Sequence, residues 1–163
     1  MSNHSPFAAL YFLLTVTLAM VLRVMSIYPE LDALNPDWIA LVLIYWSVAL
    51  PQRFGVFTAF WVGLLTDVLT GHLLGQYALI YSVISYLSIR EYKRLRQFPL
   101  VQQCLFVLFC LVCGQSLLFG MASMQAANNL PLSFWYPTLS GTLAWPFVFW
   151  TLRTVRVLAR LSE

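Results

Sequence analysis

Residues 100–124 read LVQQCLFVLFCLVCGQSLLFGMASM, an apolar run that contains no Lys, Arg, Asp or Glu. A helix that crosses the roughly 30 Å core of a bilayer needs about 20 such residues, so this run is long enough to span one. The three cysteines of the chain, Cys104, Cys110 and Cys113, all lie in it. They outline no disulfide framework, and we interpret them as small packing residues.

The composition of the whole chain agrees with this run. Of its 163 residues, 61% are hydrophobic and 9% are charged, whereas a soluble domain carries about 25% charged residues. Such a chain cannot cover a water-facing surface with polar groups, so much of its exterior should face lipid. We expect one integral membrane domain at this length.

Six apolar segments approach the length of a membrane span. They lie at residues 7–27, 36–50, 54–69, 73–89, 100–124 and 134–152. We therefore predict an all-α, polytopic membrane protein with about six transmembrane helices. The second and third segments are short, and either two spanning helices or one re-entrant hairpin fits them. The N-terminus has no basic residue before the first segment, which we read as a retained helix and not as a cleaved signal.

Basic residues gather in alternate loops and so predict the orientation. With both termini in the cytoplasm, eight of the nine Lys and Arg residues fall on the cytoplasmic side, as the positive-inside rule requires. These are Arg53, Arg90, Lys93, Arg94, Arg96, Arg153, Arg156 and Arg160. The same groups attract anionic lipid headgroups. They are too few and too scattered to indicate nucleic-acid binding.

The sequence Asn35-Pro36-Asp37-Trp38 opens the second segment. We expect Asn35 to cap the helix, Pro36 to take its first position, and Asp37 to lie where the helix dipole favours an anion. A second interpretation is that Asp37 and Trp38 also anchor a partner on the outer face.

Small residues recur every four positions at Gly63, Asp67, Gly71 and Gly75. On one continuous helix they would form a groove that lets another helix approach closely. The alternative is that Gly71 ends one helix and Gly75 starts the next.

Asp67 is a carboxylate near the end of an apolar helix, where a charge is costly unless it is paired, hydrated or protonated. Its candidate partners are His72 and Arg23. Arg23 is the one basic residue on the predicted outer side, and it can equally extend its side chain to the interface. A proton relay through Asp67 is the sharper hypothesis, and it requires this carboxylate to titrate near neutrality.

The sequence contains none of the motifs that are typical of enzymes. We find no Ser/His/Asp set, metal-ligand cluster, paired catalytic carboxylates or Gly-rich phosphate loop. The sequence therefore predicts neither an enzyme nor a cofactor.

From residue 35 to 103 the chain resembles the MreD family of rod shape-determining proteins. The resemblance rests on Pro36-Asp37-Trp38, on Tyr45-Trp46 followed by the sequence ALPQR at 49–53, and on the ordered Gly63, Asp67, Gly71 and Gly75. Trp145-Pro146 before a basic tail also fits the family.

This resemblance implies a scaffold in the bacterial inner membrane that supports lateral peptidoglycan synthesis and cell shape. The implied direct partner is MreC, within a complex containing RodA, its partner transpeptidase and MreB filaments. The groove at Gly63, Gly71 and Gly75, beside Asp67, would receive a transmembrane helix of the partner. Pro36, Asp37, Trp38 and Arg53 are further candidates for packing or partner contacts. A homo-oligomer within the complex, and a passive or a regulatory role, are left open.

The family's fold is also similar to the substrate-binding subunits of energy-coupling-factor vitamin transporters, although a shared fold does not carry function. The alternative function is therefore a small-molecule-binding subunit of a membrane transporter. It requires a polar cavity, for which the sequence offers Asp67, Gln76, Ser82, Ser85, Gln115 and Ser116.

Overall fold

A computed structural model describes residues 6–25, 34–71, 73–124 and 132–158 of the chain. Within these ranges the chain is helical and has no strand, so the all-α prediction is confirmed. His72 and Arg160 lie outside the described residues. The α-helices are α1 (Pro6–Val24), α2 (Trp38–Ala49), α3 (Val56–Thr70), α4 (Gln76–Arg90), α5 (Tyr92–Leu95), α6 (Leu100–Met124) and α7 (Tyr136–Leu158), and a 3-10 turn (Leu132–Trp135) precedes α7.

Each of the six predicted apolar segments overlaps one α-helix of 12 residues or more, and the short α5 lies in the basic loop between two of them. By length and composition, α6 is the one helix in the described ranges that can cross a bilayer, with a mean hydropathy of 2.2. The helices α1, α2 and α3 are apolar but shorter. That six helices cross a membrane therefore stays a prediction.

Helix α2 lies at the centre of the bundle. All residues from 39 to 47 are buried, and α2 packs against α1, α4 and α7. An aromatic cluster fixes it to α1, because Phe12 stacks on Phe54 at 4.1 Å between ring centroids and meets Trp46 edge-on at 6.1 Å. Such arrangements are favourable for aromatic pairs.

Two side-chain hydrogen bonds link α2 to its neighbours within this apolar core. The Trp46 indole N–H donates to the Thr15 hydroxyl at 3.0 Å, and the Ser47 and Ser85 hydroxyl groups are 2.8 Å apart. Buried polar groups of this kind stabilise only when they are paired. They therefore set the register of α2 against α1 and α4.

Helices α3 and α4 form a tight hairpin, and they are the most extensively packed pair in the chain. A side chain at Gly63 would overlap the backbone of Ala78 in α4. Gly71 ends α3 with φ 68°, and Gly75 precedes α4 with φ 103°. Both angles lie in the left-handed region that glycine adopts without strain.

The structure corrects the groove prediction. Gly63 does permit close packing of two helices, but the second helix is α4 of the same chain. Gly71 and Gly75 lie in the turn between α3 and α4 and not on a continuous helix. The alternative, in which Gly71 ends one helix and Gly75 starts the next, matches the structure.

We expect Gly63→Ala to destabilise the protein, because the added methyl group overlaps the α4 backbone, which cannot rotate away. Overpacking of this kind costs about 1–3 kcal/mol. The matched control is Gly120→Ala in α6, where a Cβ atom meets nothing within 4 Å. Thermal unfolding of both variants in detergent measures the effect. Equal melting temperatures would contradict the tight α3–α4 contact.

Candidate functional site

Four polar side chains meet where α1 ends and α2 and α4 begin. The Arg23 guanidinium lies 3.0 Å from the Asp37 carboxylate and donates to the Tyr77 hydroxyl at 2.5 Å. The Tyr81 hydroxyl donates to Asp37 at 2.9 and 3.1 Å. The guanidinium also lies over the Tyr77 ring, 4.6 Å from its centroid. We call Arg23, Asp37, Tyr77 and Tyr81 the Arg23–Asp37 cluster.

Asp37 has a second role as the N-cap of α2. Its carboxylate accepts from the Ala40 N–H at 3.2 Å, which satisfies one of the donors left free at a helix start. The sequence prediction placed Asn35 at the cap and Pro36 at the first helical position, and both lie outside the helix. Asn35 instead accepts from the Trp38 indole N–H at 2.9 Å.

The partner of Arg23 is therefore Asp37, and the predicted pair with Asp67 is wrong. Asp37 opens the second apolar segment and Asp67 lies near the end of the third, and only Asp67 was predicted to pair with Arg23. The sequence analysis missed Tyr77 and Tyr81. Their spacing of four residues places them on one face of α4, and two hydroxyl-bearing rings on one face of an apolar helix are the signal that could have indicated a polar contact there.

Asp67 is completely buried and caps α4 from the end of α3. Its carboxylate accepts from the backbone N–H groups of Gly75 at 2.8 Å, Tyr77 at 2.8 Å and Ala78 at 3.4 Å. Gly75, the residue at the cap position, has no side chain to do this. The N-terminus of a helix favours an anion, so capping accounts for the burial of this carboxylate without a cation or a proton relay.

A cavity of about 710 Å³ borders the Arg23–Asp37 cluster. Its polar lining includes Arg23, Asn35, Asp37, Gln115 and Thr138. The Gln115 amide donates to the Phe134 carbonyl at 2.6 Å, which ties α6 to the turn before α7. The polar residues of this cavity can hold the surrounding helices together or contact a polar group of a ligand. They include no activated nucleophile.

Basic residues from separate segments gather at the opposite end of α2. Arg96 donates to the Val48 carbonyl at 3.1 Å and to the Ala49 carbonyl at 2.6 Å, so it caps the C-terminus of α2. Arg153 and Arg156 of α7 line a second cavity together with Arg96.

The other predicted basic residues in the described ranges lie outside this cavity. The backbone N–H of Arg53 donates to the Leu50 carbonyl at 3.1 Å in the turn after α2. Arg90, Lys93 and Arg94 are exposed, and Arg94 lies 3.2 Å from Glu91. Among the described residues, no group of three His, Cys, Asp or Glu side chains is placed to hold a metal ion.

The ion pair at the cluster predicts energetic coupling. Arg23→Gln and Asp37→Asn should each lower stability, because each leaves a partly buried charge without its partner. Both side chains are 19% exposed, so we expect a coupling free energy of about 1 kcal/mol in a double-mutant cycle of thermal unfolding. Additive effects of the two substitutions would rule out the pair as a stabilising contact.

Because Asp67 caps α4, we expect its substitution to lower stability by more than the coupling free energy of the Arg23–Asp37 pair. Asp67→Asn places an amide N–H₂ group against backbone donors and should cost about 1.5–3 kcal/mol of stability, the range for hydrogen bonds to a charged group. Glu91→Gln makes the same chemical change at a half-buried site that forms a surface ion pair with Arg94, and it should be nearly neutral. Unfolding of the two variants side by side gives the comparison, and similar losses would contradict the capping role.

Comparison with known proteins assigns the family. A family model described as rod shape-determining protein MreD matches residues 4–157. The chain is 31% identical over 126 residues to the rod shape-determining protein MreD of Haemophilus influenzae, covering 76% of each chain. No solved structure matches. The chain therefore belongs to the MreD family of rod shape-determining proteins.

Proposed function

We propose that this chain is a multi-pass scaffold of the bacterial inner membrane that binds MreC and supports lateral peptidoglycan synthesis. Membership of the MreD family supports a role in rod shape. In this proposal residues 1–163 form one integral membrane domain with six spanning helices and both termini in the cytoplasm. RodA, its partner transpeptidase and MreB belong to the same complex.

The observation that carries the proposal is the distribution of polarity in the bundle. Charged groups such as Asp67 and the Arg23–Asp37 pair are satisfied inside, while large apolar side chains cover the outside. Exposed residues include Leu13, Leu18, Phe57, Trp61, Leu65, Leu105, Phe109, Leu143, Phe147 and Trp150. Apolar patches of this extent are rare on monomeric soluble proteins, and lipid is the solvent that suits them.

The ends of the bundle support the proposed orientation. Arg96 contacts the end of α2, and Arg153 and Arg156 line a cavity with Ala49 at the same end. Two separate segments thus bring basic residues together, as expected for a cytoplasmic face. Helix α2 has 12 residues, or about 18 Å of rise. This short length is tolerable because other helices surround α2 and its ends are capped by Asp37 and Arg96.

We place the MreC contact on the outer face of α3. One side of this helix is held against α4 through Gly63 and Asp67, so its other side is a rigid surface. That side exposes Phe57, Trp61 and Leu65, with the Phe57 and Trp61 rings packed edge-on at 6.1 Å. Rigid aromatic side chains are typical anchors of interfaces, and a preorganised face loses less entropy on binding.

The transporter alternative has one observation in its favour, the cavity of about 710 Å³. Of the six polar residues expected to line such a cavity, only Gln115 does so. Asp67 and Ser85 are completely buried and hydrogen-bonded within the chain. These contacts, together with the family, favour the scaffold.

Co-purification with MreC tests the proposed interface. Trp61→Ala combined with Leu65→Ala should reduce recovery of MreC by at least about tenfold, because two large contacts of more than about 1 kcal/mol each are lost. The matched control is Leu143→Ala with Phe147→Ala on the exposed face of α7, at equal levels of protein in the membrane.

Rod shape should fail to recover in depleted cells that express the α3 variant and should recover with the α7 variant. Unchanged recovery of MreC by the α3 variant would refute the assignment of this face. Equal losses with both variants would show that the effect is not specific to α3.

A further inference from the structure

We propose that the cavity between α2, α5, α6 and α7 binds the phosphate headgroup of a membrane lipid. The cavity has a volume of about 360 Å³, within the range of small-molecule sites. The proposal rests on the proposed function in one respect, since it requires the chain to be embedded in lipid. It adds a ligand site that a scaffold does not need. We call this space the basic-end cavity.

Charge is the first argument. Arg96, Arg153 and Arg156 line the basic-end cavity, and no Asp or Glu is among its lining residues. Arg96 already donates to the carbonyls at the end of α2. Within the described ranges, Arg153 and Arg156 have no ion-pair partner. A guanidinium group forms bidentate hydrogen bonds with phosphate, so two such groups beside one cavity favour a phosphate ligand.

Unsatisfied polar atoms are the second, independent argument. Among the described residues, the buried side-chain atoms without a hydrogen-bond partner include the Trp145 indole N–H and the Gln103 carbonyl oxygen. Both residues line the basic-end cavity, and Trp145 is only 4% exposed. A buried donor or acceptor left unpaired costs about 1–3 kcal/mol. A phosphate oxygen can accept from the indole, and a headgroup hydroxyl can donate to Gln103.

The walls of the cavity favour an amphiphile over free phosphate. Tyr45, Phe106, Val107 and Phe149 form much of its lining, and Phe149 meets Tyr45 edge-on at 5.9 Å. The neighbouring faces of α6 and α7 expose Val101 and Phe147, where acyl chains would lie. The phosphate of a lipid can form hydrogen bonds with the arginines. Its glycerol carbons and first methylene groups can pack against the apolar walls.

Native mass spectrometry of the detergent-solubilised full chain tests this site. The probes are phosphatidylglycerol and diacylglycerol with the same acyl chains, which differ by the phosphoglycerol headgroup. We expect one molecule of phosphatidylglycerol to bind with preference over diacylglycerol. Arg153→Gln with Arg156→Gln should weaken this binding about tenfold. The control, Arg90→Gln with Arg94→Gln, removes the same charge from exposed positions outside the cavity and should change binding less than about twofold.

Trp145→Phe provides a second variant that keeps the ring and removes only the N–H group, and we expect it to weaken phosphatidylglycerol binding. Equal weakening by both arginine pairs, or equal binding of the two lipids, would overturn the site. Displacement of the lipid by millimolar inorganic phosphate would assign the cavity to a soluble phosphate compound and overturn the lipid assignment. Recovery of MreC by the same variants separates this outcome from failure of the scaffold proposal.

Discussion

A helix that is buried on every side must satisfy the polar groups at both of its ends within the protein. Helix α2 shows how this chain meets that requirement, with Asp37 accepting at its first turn and Arg96 donating to its last carbonyls. Asp67 performs the same task for α4 from the preceding helix. The positions of α1, α3, α5 and α7 follow from these contacts, because each packs against a helix whose ends are fixed in this way.

This use of charge changes how the polar residues of the sequence are interpreted. In an apolar chain, each ionisable group invites a functional explanation, since its burial is costly. Here the most deeply placed carboxylate and two of the basic residues hold helices together. Among the described residues, the buried side-chain atoms without a hydrogen-bond partner belong to Gln103, Thr138 and Trp145, which line the two cavities. Function is therefore better sought on the outer apolar faces and at the basic end than at Asp67.

The sequence predicted the fold class and the location of every long helix, because apolar runs and the glycines and prolines between them are local signals. It also predicted one side for Arg96, Arg153 and Arg156, which line one cavity; that this side is cytoplasmic stays a prediction. Pairing across the bundle was harder. Arg23 was predicted to pair with Asp67 or to extend to the interface, and only the packing of α4 places Asp37, Tyr77 and Tyr81 around it. The four-residue glycine spacing misled because Gly71 leaves the helical conformation.

The short sequence distance between Asp67 and its hydrogen-bond donors has a consequence for how the chain is made. These donors follow it by 8 to 11 residues. The carboxylate therefore accepts these hydrogen bonds as soon as the α3–α4 hairpin forms. The α3–α4 hairpin can therefore form with its buried carboxylate hydrogen-bonded before α6 and α7 have been synthesised.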